Sequence, residues 1–130
     1  MAGRGLHAAD SLDYTMVLCA DIDAMKAFYG DLLGLPVQRE IAGRYLELRA
    51  GTVTLAFRLR SRPYDGEPAS GASVQLAFRV ERDDVDLAAQ QLESAGVAAL
   101  EPVQDLPDFG HRVLFFADPE GNVIEYFAEI

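Results

Sequence analysis

The stretch SLDYTMVLCADIDAMKAFYGDLLGLPV, residues 11–37, changes its periodicity partway along. Residues 12 to 19 suit a strand, with Thr15, Val17 and Cys19 on one face and Tyr14, Met16 and Leu18 on the other. Asp21 then offers a helix N-cap. Met25, Phe28, Tyr29, Leu32 and Leu33 follow at the i, i+3, i+4, i+7, i+8 spacing of an amphipathic helix. Gly34 terminates that helix. Three extended pieces come next, VQREIA, RYLELRA and TVTLAFRL, the last two divided by Gly51.

The same order then starts again. After RSRPYDGEPASGA, a Pro-, Gly- and Ser-rich connector over residues 60–72, SVQLAFRV reads as a strand. Asp83 or Asp84 can cap a helix carrying Val85, Ala88, Ala89 and Leu92 on one face, and Gly96 ends it as Gly34 ended the first. VAALEPV, HRVLFFA and NVIEYFAEI supply three further extended pieces. Strand, helix, strand, strand, strand therefore occurs twice, and a repeat of that length outweighs any single motif in fixing a fold class. The class is α+β, two βαβββ modules, each sheet burying one face against its own helix. Residues 1–10 read as a disordered tail, and 11–130 as one domain of module 11–60, linker 61–72 and module 73–130.

At 130 residues the chain can bury a proper core. No apolar run approaches the ~20 residues of a membrane helix, and MAGRGLHAAD has no apolar core of a secretory signal. Cys19, the single cysteine, has no partner for an internal disulfide, which fits a reducing cytoplasm. The net charge of −10 argues against nucleic acid, which needs a Lys/Arg face, and is compatible with a cationic ligand.

If one face of each sheet packs on its helix, the other borders a cavity or solvent. Tyr14 and Met16 fall on that second face in the first module. In the second, Leu76, Phe78 and Val80 form the apolar face, which puts Gln75, Ala77 and Arg79 opposite. Glu47 lies between Leu46 and Leu48, hence opposite to them, in the cavity or in water. The turn DPEGN, residues 118–122, leads into a strand with an acid at its middle, Glu125.

The phrases DIDAMKAFYGDLLGLPV, DDVDLAAQQLESAGV and DPEGNVIEYF resemble the vicinal oxygen chelate superfamily, across residues 12–130. That superfamily holds glyoxalase I, extradiol dioxygenases, methylmalonyl-CoA epimerase and the fosfomycin and bleomycin resistance proteins. The resemblance implies that the paired βαβββ modules form an open, curved mixed sheet or barrel around a central cavity, commonly in a homodimer. Members with a metal hold it from the first and last strands of the modules. It sets Tyr14 and Gln75 where first-strand ligands stand, and GTVTLAF against GNVIEYF aligns Leu55 with Glu125. A divalent ion needs about three good protein ligands. Glu125 is one, Gln75 is weak, Tyr14 poor, and Leu55 none, so no metal or other cofactor is expected.

Without an ion, Glu125 needs another partner, Arg79 or His111, because an unpaired buried carboxylate is costly. His111 can work as acid or base near neutral pH, or simply form surface hydrogen bonds. The candidate catalytic groups are thus Glu125 and His111. The candidate ligand contacts are Tyr14, Met16, Glu47, Leu55, Phe57, Gln75, Arg79 and Phe127. Three functions follow from the resemblance. The first is a metal-free protein binding an aromatic or cationic small molecule, in a homodimer with no nucleic-acid or membrane partner. The second is a metal-independent isomerase or epimerase using Glu125 or His111. The third is a metal-dependent lyase or dioxygenase.

Overall fold

The computed structural model describes residues 9–68 and 71–130. The chain forms two compact units, the first ending at Gly66 and the second starting at Glu67. Residues 1–8, most of the expected tail, lie outside the described residues.

The first unit contains β1 (Tyr14–Cys19), α1 (Ile22–Met25) continued by a π-helical segment (Lys26–Leu32), β2 (Val37–Ile41), β3 (Tyr45–Ala50) and β4 (Val53–Leu59). Its sheet has the order β1-β4-β3-β2, with β1 parallel to β4 and the other pairs antiparallel. The second unit repeats this with β5 (Gln75–Arg79), α2 (Asp84–Ser94), β6 (Gln104–Leu106), β7 (His111–Ala117) and β8 (Val123–Glu129), ordered β5-β8-β7-β6. Again the first and last strands pair in parallel.

Local chemistry explains the element ends. Asp21 caps α1 by accepting the Ala24 N–H at 3.0 Å. Gly34 and Gly96 follow the two helices with φ of +79° and +86°, the left-handed conformation that ends helices cheaply only at glycine. Asp83 stands at the start of α2 but makes no side-chain cap. The first helix departs from the expected α-helix. From Lys26 on, its turns widen to i→i+5 bonding, seen in Leu33 N–H donating to Phe28 O at 2.9 Å. The wider turn keeps Phe28 and Tyr29 buried and swings Leu32 out to 38% exposure, although α spacing had put Leu32 on the apolar face. VAALEPV is not a strand either. The short β6 lies just beyond it, because Pro102 has no N–H to give a ladder.

One helix covers one face of each sheet. In the first unit Val17, Cys19, Leu46, Leu48, Leu55 and Phe57 are buried with Met25, Phe28 and Tyr29, and the Tyr29 and Phe57 rings lie 4.7 Å apart. In the second, Ile124 is buried with Val85 and Leu92 of α2, and the Tyr126 ring meets Phe78 and Phe116 edge-on at 5.9 and 5.2 Å. This overturns the alignment of Leu55 with Glu125. Leu55 pairs with Thr15 on the helix-covered face, whereas Glu125 pairs with Ala77 on the open face. The position facing as Glu125 does is Ala56, which pairs with Met16. Side chains alternate with a period of two, so a one-residue slip exchanges the faces.

The DPEGN turn is built rather than merely solvated. Asp118 Oδ1 accepts the N–H groups of Glu120 and Asn122, and Oδ2 accepts the Asn122 amide, each at 2.9 Å. Asn122 Oδ1 in turn accepts the Ser73 N–H at 3.2 Å, tying the turn to the approach of β5.

The facing of the first sheet is testable. Leu55→Ala should cost roughly 2–5 kcal/mol, as truncations of buried leucine do. Met16→Ala, at a side chain 44% exposed, should cost less than about 1 kcal/mol. A larger loss for Met16→Ala than for Leu55→Ala in urea denaturation would mean the two faces had been exchanged.

Candidate functional site

The open face of the first sheet carries a cavity of about 660 Å³. Two cross-strand rows supply most of its floor: Arg39, Glu47 and Met16 from the row Arg39-Glu47-Ala56-Met16 across β2, β3, β4 and β1, and Ile41, Tyr45 and Arg58 from the row Ile41-Tyr45-Arg58-Leu18. Tyr14 and Leu59 add to the wall, with Ser61, Arg62 and Arg44 arriving from flanking segments.

Glu47 is the buried acid of this face, 4% exposed. The Tyr45 hydroxyl donates to its Oε2 at 2.6 Å and the Gln38 amide to its Oε1 at 3.0 Å. The Tyr45 bond first, then that from Gln38, hold the carboxyl below its ordinary range, so Glu47 is ionised at neutral pH. Burial, followed by the Glu47 bond, pushes the Tyr45 phenol up to about 12, so it stays a donor.

A β-bulge supplies Gln38 and Arg39 together. Val37 pairs with Leu48 and Arg39 with Glu47, so Gln38 is an extra residue on β2. The bulge aims Gln38 and Arg39 to the same side, where strict alternation would split them. Glu40 then points the other way and pairs with Lys26 of the helix at 2.9 Å.

The loop after β4 closes the cavity's end. Asp65 receives Arg58 bidentately, at 2.9 and 2.8 Å, and also accepts the N–H groups of Ser61 and Arg62 at 2.8 Å each. These bonds, the Arg58 guanidinium foremost, depress the Asp65 carboxyl far below the usual range. The clamp fixes Ser61 and Arg62 at the rim.

Of the expected ligand contacts, Tyr14, Met16 and Glu47 line this cavity, and Glu47 faces into it rather than into bulk solvent. Leu55 and Phe57 do not. They are 3% and 0% exposed in the helix-covered core, because their strand parity is opposite to that of Met16 and Ala56. Gln75, Arg79 and Phe127 stand on the open face of the second sheet. There Gln75 donates to Glu125 at 3.0 Å, and Arg79 pairs with Glu129 at 3.0 Å while lying 5.0 Å over the Phe127 ring. The expected partners of Glu125 are therefore corrected: it is met by Gln75, while Arg79 reaches one pleat further to Glu129. His111 stacks on Phe127, ring centres 4.5 Å apart. It pairs with Glu129 while Phe115 pairs with Glu125, so His111 and Glu125 stand four positions apart along β7. That is roughly 13 Å at about 3.3 Å per residue, too far for a shared proton.

The donor set does not fit the divalent ion of the superfamily's metal members. Glu125 has Gln75 beside it, and the matching position of the first sheet is Ala56. Within neither unit do three His, Cys, Asp or Glu side chains group as ligands among the described residues.

Arg39, Ile41, Arg44, Tyr45, Arg58, Leu59, Ser61 and Arg62 went unread as cavity residues. Their signal was weak: VQREI reads as an ordinary alternating strand, and RSRPYDG as a plain connector. The cationic-ligand expectation drew on the charge of the whole chain, whereas four of the eleven lining residues are arginines and Glu47 is the one carboxylate among them. The acidic balance of the whole chain hid a local charge of the opposite sign.

Residues 11–126 match the family model described as Glyoxalase/Bleomycin resistance protein/Dioxygenase superfamily. The uncharacterized protein YwkD of Bacillus subtilis is 31% identical over 127 residues, 92% of this chain and 97% of its own. The uncharacterized protein YaeR of Escherichia coli is 31% identical over 121 residues, covering 87% and 92%. Among solved structures, a glyoxalase/bleomycin resistance protein/dioxygenase from Nocardioides aligns with a TM-score of 0.78 at 24% identity, over 95% of this chain and 85% of that one. A lactoylglutathione lyase from Agrobacterium tumefaciens aligns at 0.68 and 24%, over 92% and 94%. The chain belongs to the glyoxalase/bleomycin resistance protein/dioxygenase superfamily. No helix among the described residues is long and apolar enough to cross a membrane.

Two titrations check the electrostatics. In Glu47→Gln the Tyr45 midpoint should fall from about 12 toward the ordinary tyrosine value, read as tyrosinate absorbance against a Tyr45→Phe reference; an unchanged midpoint would detach Tyr45 from Glu47. Asp65 is depressed in the folded state, so its ionised form favours folding. That contribution is complete above the unfolded aspartate value near 3.9 and is lost as pH falls toward the folded value. Asp65→Asn should therefore lower stability at neutral pH and flatten its decline in acid, measured by urea denaturation at both pH values.

Proposed function

We propose that this superfamily member binds a small organic molecule in the cavity of its first unit, without a catalytic metal. The observation that carries the reading is the make-up of that cavity. Tyr14, Met16, Ile41 and Leu59 give apolar wall, while Glu47 and Tyr45 form a fixed polar anchor within about 660 Å³. Apolar walls with a few convergent polar groups are the usual composition of a small-molecule site. Among the described residues no three His, Cys, Asp or Glu side chains group as ligands, which favours binding over the lyase chemistry named for the Agrobacterium neighbour.

The alternative, a metal-independent isomerase or epimerase, needs a base poised near working pH. Glu47 is held below its ordinary range, which suits a standing acceptor better than a proton shuttle. Glu125, which accepts from Gln75, and His111, stacked on Phe127, are both absent from the lining of the first unit's cavity. In this reading the chain works in the cytoplasm as a homodimer, and sedimentation of the purified protein reads the oligomer directly.

A small-molecule panel, followed by NMR of isotope-labelled protein in excess EDTA, tests the proposal. Saturable shifts at Tyr45, Glu47 and Met16 that are unchanged by EDTA are expected. Shifts that emerge only when zinc or nickel is added would overturn it in favour of a metal site.

A further inference from the structure

The cavity of the first unit carries positive charge in a chain whose net charge is −10. Arg39, Arg44, Arg58 and Arg62 line it; Arg58 projects from β4, and the other three reach it by specific local devices. The bulge at Gln38 turns Arg39 onto this face. The tight turn at Gly43, φ +71°, brings Arg44 to its edge. Arg62 is held at the rim by its own N–H, donated to Asp65 at 2.8 Å.

The charges do not cancel. Arg58 is matched by Asp65, a carboxylate only 3% exposed that takes both guanidinium nitrogens. Glu47 is occupied by the neutral donors Tyr45 and Gln38 and offsets at most one of Arg39, Arg44 and Arg62. Those three are exposed while Glu47 is buried, so the positive charge lies at the mouth and the apolar surface of Met16, Tyr14 and Ile41 lies beside it. Guanidinium groups favour planar or tetrahedral oxyanions, which they meet with two parallel N–H donors.

We infer that the occupant of this cavity is a small organic anion, a carboxylate or phosphate ester on an apolar body, its acidic group held at the mouth by Arg39, Arg44 and Arg62. The inference rests on the cavity-binding reading above and adds the ligand's charge and orientation. Unlike groups buried in a core, rim arginines are screened by salt, so affinity should fall as ionic strength rises.

The test uses the full chain with EDTA present and four probes: benzoate, phenyl phosphate, their neutral counterpart benzamide, and inorganic phosphate. Shifts of the Arg39, Arg44 and Tyr45 signals, and of arginine side-chain N–H groups, report where each probe sits. Benzoate or phenyl phosphate should bind there at least about tenfold more tightly than benzamide and weaken with added salt, and the tighter of the two identifies the oxyanion. Arg39→Gln and Arg44→Gln should each weaken that probe roughly tenfold, the scale of one charge-assisted hydrogen bond. Arg82→Gln, an equal charge change in the second unit, should leave binding unchanged. All three arginines are exposed, so these variants should fold.

Benzamide binding as tightly as benzoate, or affinity unmoved in Arg39→Gln and Arg44→Gln, would overturn the anion inference and leave the cavity-binding reading standing. Inorganic phosphate matching phenyl phosphate would remove the organic body from it. Failure of every probe to shift the cavity signals would count against both.

Discussion

Each four-stranded sheet of this protein has one helix to cover it, and that single constraint organises everything else. The covered faces become core, through Phe57 on Tyr29 in one unit and Tyr126 between Phe78 and Phe116 in the other. Each remaining face must satisfy its own polar groups. The units do so differently. In the second, the open face closes its accounts locally, with Gln75 on Glu125 and Arg79 on Glu129. In the first, Glu47 is met by neutral donors, and several arginines gather around it with only Arg58 matched by a buried carboxylate. One duplicated architecture thus holds a self-satisfied surface and a charged cavity.

The division reflects where the chain places its irregularities. The first unit contains the π-helical segment, the β2 bulge and the Asp65 loop clamp. Two of these, the bulge and the clamp, deliver side chains to the cavity. The sheets supply rigidity, and departures from regularity supply the site, the division of labour seen wherever binding residues sit on loops and bulges of a fixed scaffold.

Legibility in the sequence followed the same line. Element order, the caps at Asp21 and Gly34, and the facing of Thr15, Val17 and Cys19 against Tyr14, Met16 and Leu18 were readable because they depend on local periodicity. Tyr14, Met16 and Glu47 reached the cavity for that reason. Leu55 and Phe57 were misplaced because aligning two strands by their leading glycines ignores which face each presents, and pairing partners alone decide that. Arg39 was invisible because a bulge leaves no mark in alternation. Arg62 was invisible because its position depends on Asp65 bonding back across a turn whose composition suggests only a connector.

The bulge at Gln38 has an evolutionary consequence. Substitutions can retune the cavity one side chain at a time, but its charge also hangs on a single inserted residue. Losing Gln38 would restore regular pairing in β2 and trade the sides on which the residues before it and those from Arg39 onward stand relative to one another. Among relatives that share the sheet, the length of this short segment should therefore divide ligand preference more sharply than residue identity does, and insertions or deletions here become the informative characters for grouping them.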